Sequence, residues 1–119
     1  PRSFNEGKKI VKIIRSFLKI KCQLSKLDNK LLDFAKKNNL KKNIFKKFKS
    51  IQNLKKLNHE ITFITNFGRD IEYYTGIVFE IFSGIKEIAR GGRYDDLLKS
   101  LGAKKNIPAV GAAINLNNI

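Results

Sequence analysis

This sequence predicts an α+β fold, helices packed on an antiparallel sheet, and two features along the chain predict it. Apolar residues recur at helical spacing through the first half, and from Ile61 the periodicity changes to two. Connections between the later β-rich runs are as short as Ser83-Gly84, which favours antiparallel pairing of neighbours. At 119 residues, 42% of them hydrophobic, the chain is long enough for one domain with a core and too short for two ordinary ones.

Each element follows from its own pattern. Residues 4–21 place Ile10, Ile13, Ile14, Phe17 and Leu18 at helical spacing between lysines, as in an amphipathic helix. Ser25 and Asp28 form a candidate capping box for a second helix through Leu27, Leu31, Leu32 and Phe34, closed by Asn38-Asn39. A third helical pattern runs from Ile44 through Phe45, Phe48, Ile51 and Leu54 to Leu57. These stripes read as core packing rather than as a surface for partner helices. His59, the sole histidine, has no Cys, Asp or second His at ligand spacing and reads as a helix-to-strand boundary. Ile61, Phe63 and Thr65 then alternate with Thr62, Ile64 and Asn66, the signature of a strand. Further strands are expected at Ile77–Phe82, Glu87–Arg90 and Pro108–Leu116, with a helix over Asp95–Leu101. Two regions result: a lysine-rich helical segment, 1–58, and a sheet-bearing part, 59–119.

The chain carries 25 basic and 10 acidic residues, a net charge of +15. That charge is uneven: residues 1–60 hold 18 basic and 4 acidic residues (net +14), and residues 61–119 hold 7 and 6 (net +1). The excess is lysine, 20 against 5 arginines, alongside 12 asparagines and 16 isoleucines, all residues with A/T-rich codons. Nucleic-acid surfaces draw on arginine for bidentate contacts, so the first half reads as a solvated lysine face and nucleic acid is not the expected partner. The single Cys22 makes no internal disulfide and fits a reducing compartment. No apolar run approaches the roughly 20 residues of a membrane span, and no signal-peptide core is present, so the expected setting is the cytoplasm, away from membranes. Pro1 at the start and the abrupt Asn117-Asn118-Ile119 end lead us to expect a piece of a longer protein.

Residues 69–95 differ from everything before them. Three of the five arginines, Arg69, Arg90 and Arg93, fall here, where only arginine's planar fork can grip a carboxylate or phosphate bidentately. Tyr73 and Tyr74 are consecutive, so in an extended segment they face opposite ways. Gly76 removes a side chain where a ligand could approach, and Gly91-Gly92 permits a positive-φ turn that would swing Arg93 and Tyr94 to the same place. Asp95 is a candidate cap for the helix after it. The candidate pocket, sized for an amino acid, comprises Arg69, Tyr73, Tyr74, Arg93 and Tyr94. No metal and no cofactor is expected.

In combination these segments are far more specific than singly. RDIEYYTGIVFE (69–80), GGRYDDLL (91–98) and PAVGAAINL (108–116) resemble the C-terminal part of the histidyl-tRNA synthetase-like catalytic fold, a class II aminoacyl-tRNA synthetase-like architecture. That fold is shared by histidyl-tRNA synthetases and by a non-synthetase paralogue, the regulatory subunit of ATP phosphoribosyltransferase. The resemblance covers roughly residues 61–119, and implies upstream only that the lysine-rich helices occupy a variable helical insertion.

Departures from the synthetase pattern decide between the paralogues. Synthetases typically read R-G-L-D-Y-Y-T-G, with the arginine serving the reaction and the tyrosines helping to bind histidine. Here Arg69, Tyr73 and Tyr74 are kept, but Asp70 replaces the glycine and Phe67-Gly68 precedes the arginine. The third class II motif ends glycine-leucine-glutamate-arginine, its arginine holding the ATP phosphates; this chain has Asn115, Leu116, Asn117 and Asn118. Asparagine has no charge to offer a developing pyrophosphate. The resemblance therefore implies a non-catalytic regulatory subunit that self-associates and assembles with a short-form ATP phosphoribosyltransferase catalytic subunit. The complex condenses ATP with phosphoribosyl pyrophosphate in histidine biosynthesis, with histidine as feedback effector. The alternatives are a histidyl-tRNA synthetase, for which the +14 front half would face tRNA, and a small lysine-rich RNA-binding module.

Overall fold

The computed structural model describes residues 2–67 and 73–119, apart from the side chains of Arg2, Ser3, Lys42 and Lys47. Its helices and antiparallel strands make the fold α+β, in two compact units, residues 1–66 and 67–119.

In the first unit helix α1 (Arg2–Phe17) starts as the periodicity predicts but ends sooner. The chain turns after it and enters strand β1 (Lys21–Gln23), a segment the sequence reading left at the helix end or unassigned. β1 pairs antiparallel with β2 (Thr62–Ile64), Cys22 opposite Phe63. Thr65 fastens the junction: its hydroxyl donates to the Phe17 carbonyl at 2.6 Å and its amide to the Ile20 carbonyl at 3.1 Å. A strand this short gives no periodicity of its own and is made by its distant partner.

Helix α2 (Leu27–Lys37) does not use the expected capping box. A 3-10 turn over Leu24–Lys26 leads straight into it, the N-cap is Lys26, and no side chain caps it. Asp28 instead takes hydrogen bonds from Gln52 Nε2 (2.7 Å) and Lys55 Nζ (3.3 Å), tying α2 to the segment that follows. The helix closes as read, with Asn38 at the C-cap and Asn39 in the left-handed region at φ 53°. The third helical pattern forms 3-10 turns over Lys42–Lys56, not an α-helix. Its apolar residues explain this: Phe45, Phe48, Ile51 and Leu54 recur every three residues, which is the 3-10 period.

The core lies between these elements. Leu24, Leu27, Leu31 and Ile51 are buried, Leu27 completely, with Phe17, Ile20, Phe45, Phe48 and Phe63 packed around them. The phenylalanine rings contact one another: Phe17 stacks on Phe45 with centroids 5.9 Å apart, and Phe48 meets Phe63 edge-on at 5.6 Å. Cys22 is a half-buried free thiol beside this cluster. His59 lies between the 3-10 turns and β2, at the boundary the sequence assigned it. The apolar stripe of α1 is only partly used, because Ile10, Ile14 and Leu18 remain exposed.

The second unit is a three-stranded antiparallel sheet, β3 (Val78–Ser83), β4 (Lys86–Arg93) and β5 (Val110–Ile114), with β4 in the centre. β3 and β4 join through Gly84-Ile85, where Gly84 adopts φ 59°, as the short connection predicted. Gly91 and Gly92 do not make a turn: they sit inside β4, paired with Phe79 and Val78 on one side and with Ala112 and Gly111 on the other. The helix expected over Asp95–Leu101 is a single turn, α3 (Leu97–Ser100). Asp95 does not cap it; Asp96 takes the N-cap position without a side-chain bond. No helix among the described residues is long and apolar enough to cross a membrane.

Candidate functional site

The site grows from the two faces of this sheet. Residues paired in register share a face. Phe79, Gly91 and Ala112 lie on one side, while Val78, Gly92 and Gly111 lie on the other with the opposed pair Glu80 and Arg90. The two glycines of the second face form a floor without side chains, and two aromatic rings use it. A Cβ on Gly92 would lie 2.6 Å from Tyr74 Cε1, and one on Gly111 would lie 2.5 Å from the Tyr94 hydroxyl oxygen. Glycine in a strand interior marks such a close approach, and that signal, read earlier as a turn, could have been read from the sequence.

Three of the five residues assigned to the pocket meet on this floor. The Tyr73 and Tyr74 rings lie 4.9 Å apart, Tyr73 meets Tyr94 edge-on at 5.7 Å, and Tyr74 and Tyr94 are 6.3 Å apart. These are all the tyrosines the protein has. Each pairwise contact lies within the range at which aromatic quadrupoles attract. Tyr73 is the most open of the three, so its ring is available to a ligand.

Backbone hydrogen bonds hold the tyrosine segment against β4. The Thr75 amide donates to the Arg93 carbonyl and the Arg93 amide to the Ile77 carbonyl, both at 2.9 Å, so residues 75–77 continue the β3–β4 pairing past Val78. The Tyr94 amide donates to the Ala109 carbonyl at 2.8 Å, which extends the β5 side likewise. Tyr94 thus continues the central strand itself, while Tyr74 comes from the segment that leads into β3 beside it.

Arg93 is present but engaged. Its Nε donates to both carboxylate oxygens of Asp95 at 2.9 Å, and its stem lies against Gly76, where a Cβ would come within 3.2 Å. The Asp95 amide donates to the Thr75 hydroxyl at 2.9 Å, closing a loop of Thr75, Asp95 and Arg93. Sequence reading missed Thr75 and gave Asp95 a capping role. Arg69 lies outside the described residues.

At the far end of the same sheet a bulge changes the register. Ile81 pairs with Ala89 but Phe82 with Glu87, leaving Ile88 as the extra residue. Glu87 and Arg90, three apart, are thereby brought to one face, where Arg90 Nε pairs with Glu87 Oε1. The final 3-10 turn, Leu116–Asn118, docks on this bulge. The Asn115 amide donates to the Ile88 carbonyl at 2.9 Å, and Asn118 Nδ2 donates to the Glu87 carbonyl at 2.8 Å.

The arrangement offers aromatic faces and hydroxyls beside side chains whose charges are largely paired. Among the described residues no group of three His, Cys, Asp or Glu side chains stands close enough to hold a metal ion.

Comparison with known proteins gives the chain its relatives. The chain is similar to proteins named ATP phosphoribosyltransferase regulatory subunit: that of Agrobacterium fabrum is 35% identical over 114 residues, 90% of this chain and 30% of that protein. The Sinorhizobium fredii protein of the same name is 39% identical over the same shares. That of Mesorhizobium japonicum is 50% identical over 62 residues, half of this chain and 17% of that protein. The chain therefore spans less than a third of the length of these relatives. No solved structure matches it. Residues 3–119 match the family model described as Histidyl-tRNA synthetase, which is nearly the whole chain, and the chain belongs to the histidyl-tRNA synthetase family.

Proposed function

We propose that the chain is part of an ATP phosphoribosyltransferase regulatory subunit, a non-catalytic member of its family that acts in the cytoplasm. One observation carries the choice over a working synthetase. Asn118 stands where synthetases resemble one another in an arginine, and its amide is spent on the Glu87 carbonyl, 2.8 Å away. Removing one donor from a site that stabilises developing charge costs roughly 10²–10³ in rate, and losing a full positive charge at the phosphates costs no less. The names of the relatives support the same reading.

On this reading the partner is a short-form catalytic subunit, the whole assembly condenses ATP with phosphoribosyl pyrophosphate, and the regulatory chains self-associate. Arg69, Tyr73, Tyr74, Arg93 and Tyr94 form an amino-acid pocket inherited from the synthetase fold. Histidine acts through it by binding the inactive state of the complex more tightly than the active one, the only way a ligand shifts such an equilibrium. Of the two remaining charges in the pocket, Arg93 is already paired with Asp95. We assign the ring of the ligand to the tyrosines.

The test mixes the protein carrying this sequence with a short-form catalytic subunit and follows phosphoribosyl-ATP with and without histidine. Activity that needs both chains and falls with histidine is the expected result. Histidine-dependent exchange of pyrophosphate into ATP by this protein alone would return it to the synthetases.

A further inference from the structure

We draw no further inference here: the strongest candidate, the outer edge of β5 (Val110–Ile114), an edge strand without a charged side chain, carries nothing because nothing in the structure shows what covers it in a chain that spans less than a third of its relatives' length.

Discussion

The Asn118 side chain donates to the backbone carbonyl of Glu87 at 2.8 Å, and so fastens the last turn of the chain to the bulge of the central strand. Asn118 is only partly exposed and this bond spans 31 positions of sequence. Asn118→Ala should therefore destabilise the sheet unit by about 1 kcal/mol, the usual worth of one such bond. Urea unfolding followed by tyrosine fluorescence reads it, because the chain has no tryptophan and its three tyrosines all lie in this unit. Asn118→Arg should leave histidine-dependent pyrophosphate exchange at background. Exchange restored by that one change would mean that the rest of a working ATP site is intact.

Gly92 and Gly111 are the floor on which the tyrosines rest. Gly92→Ala places a methyl group in the ring of Tyr74, with no flexible end to yield, and should cost about 1–3 kcal/mol. The near-ultraviolet circular dichroism of the tyrosines should fall with it. For Gly111 the nearest atom is the Tyr94 hydroxyl oxygen, with ring carbons further off at 3.2 Å. Tyr94→Phe should therefore recover part of the loss caused by Gly111→Ala, a coupling that a double-mutant cycle measures directly. Strict additivity of the two changes would show that the ring swings aside at no cost.

Leu27 has no exposed surface and sits at the centre of the first unit's core. Leu27→Ala should cost about 2–5 kcal/mol, since the phenylalanines around it are in ring-to-ring contact and cannot all close on the cavity. Thermal melting read by the helical signal at 222 nm reports it, because α1 and α2 both belong to this unit. Leu32→Ala, at an exposed position of the same helix, is the control and should shift the midpoint far less.

How much of this was legible depended on whether the deciding interaction was local. The helices α1 and α2, the turn at Gly84 and the strands β3 to β5 carry their own periodicity or turn chemistry, and the sequence located them to within a few residues. β1 was not legible, because its three residues become a strand only through pairing with β2, some 40 positions away. The capping box failed because Asp28 had a better use with Gln52 and Lys55, partners no local window contains. The 3-10 segment was in principle readable: Phe45, Phe48, Ile51 and Leu54 are spaced by three, and a helical template absorbs that spacing too easily. At the site, Tyr73 and Tyr74 were set on opposite faces by the alternation of an extended segment, whereas their rings lie in contact with each other and Tyr73 meets Tyr94. Gly91-Gly92 was misjudged because a glycine pair signals a turn and a close packing surface equally well.

The Arg93–Asp95 pair separates stability from recognition. Both side chains are partly exposed, 52% and 30%, so the pair adds less than about 1 kcal/mol to folding. Its two hydrogen bonds, together with the Asp95 amide on the Thr75 hydroxyl, fix where the guanidinium points relative to the tyrosines. Asp95→Asn should leave the melting temperature nearly unchanged yet alter histidine affinity severalfold, since it releases a cation beside the proposed pocket. Thr75→Val removes the acceptor for the Asp95 amide and should act in the same direction, more weakly. Isothermal titration with histidine, run on the protein carrying this sequence, reads both. Unchanged affinity in these two variants and in Tyr74→Phe would place the regulatory histidine site elsewhere in the assembly, while the stability predictions above would stand.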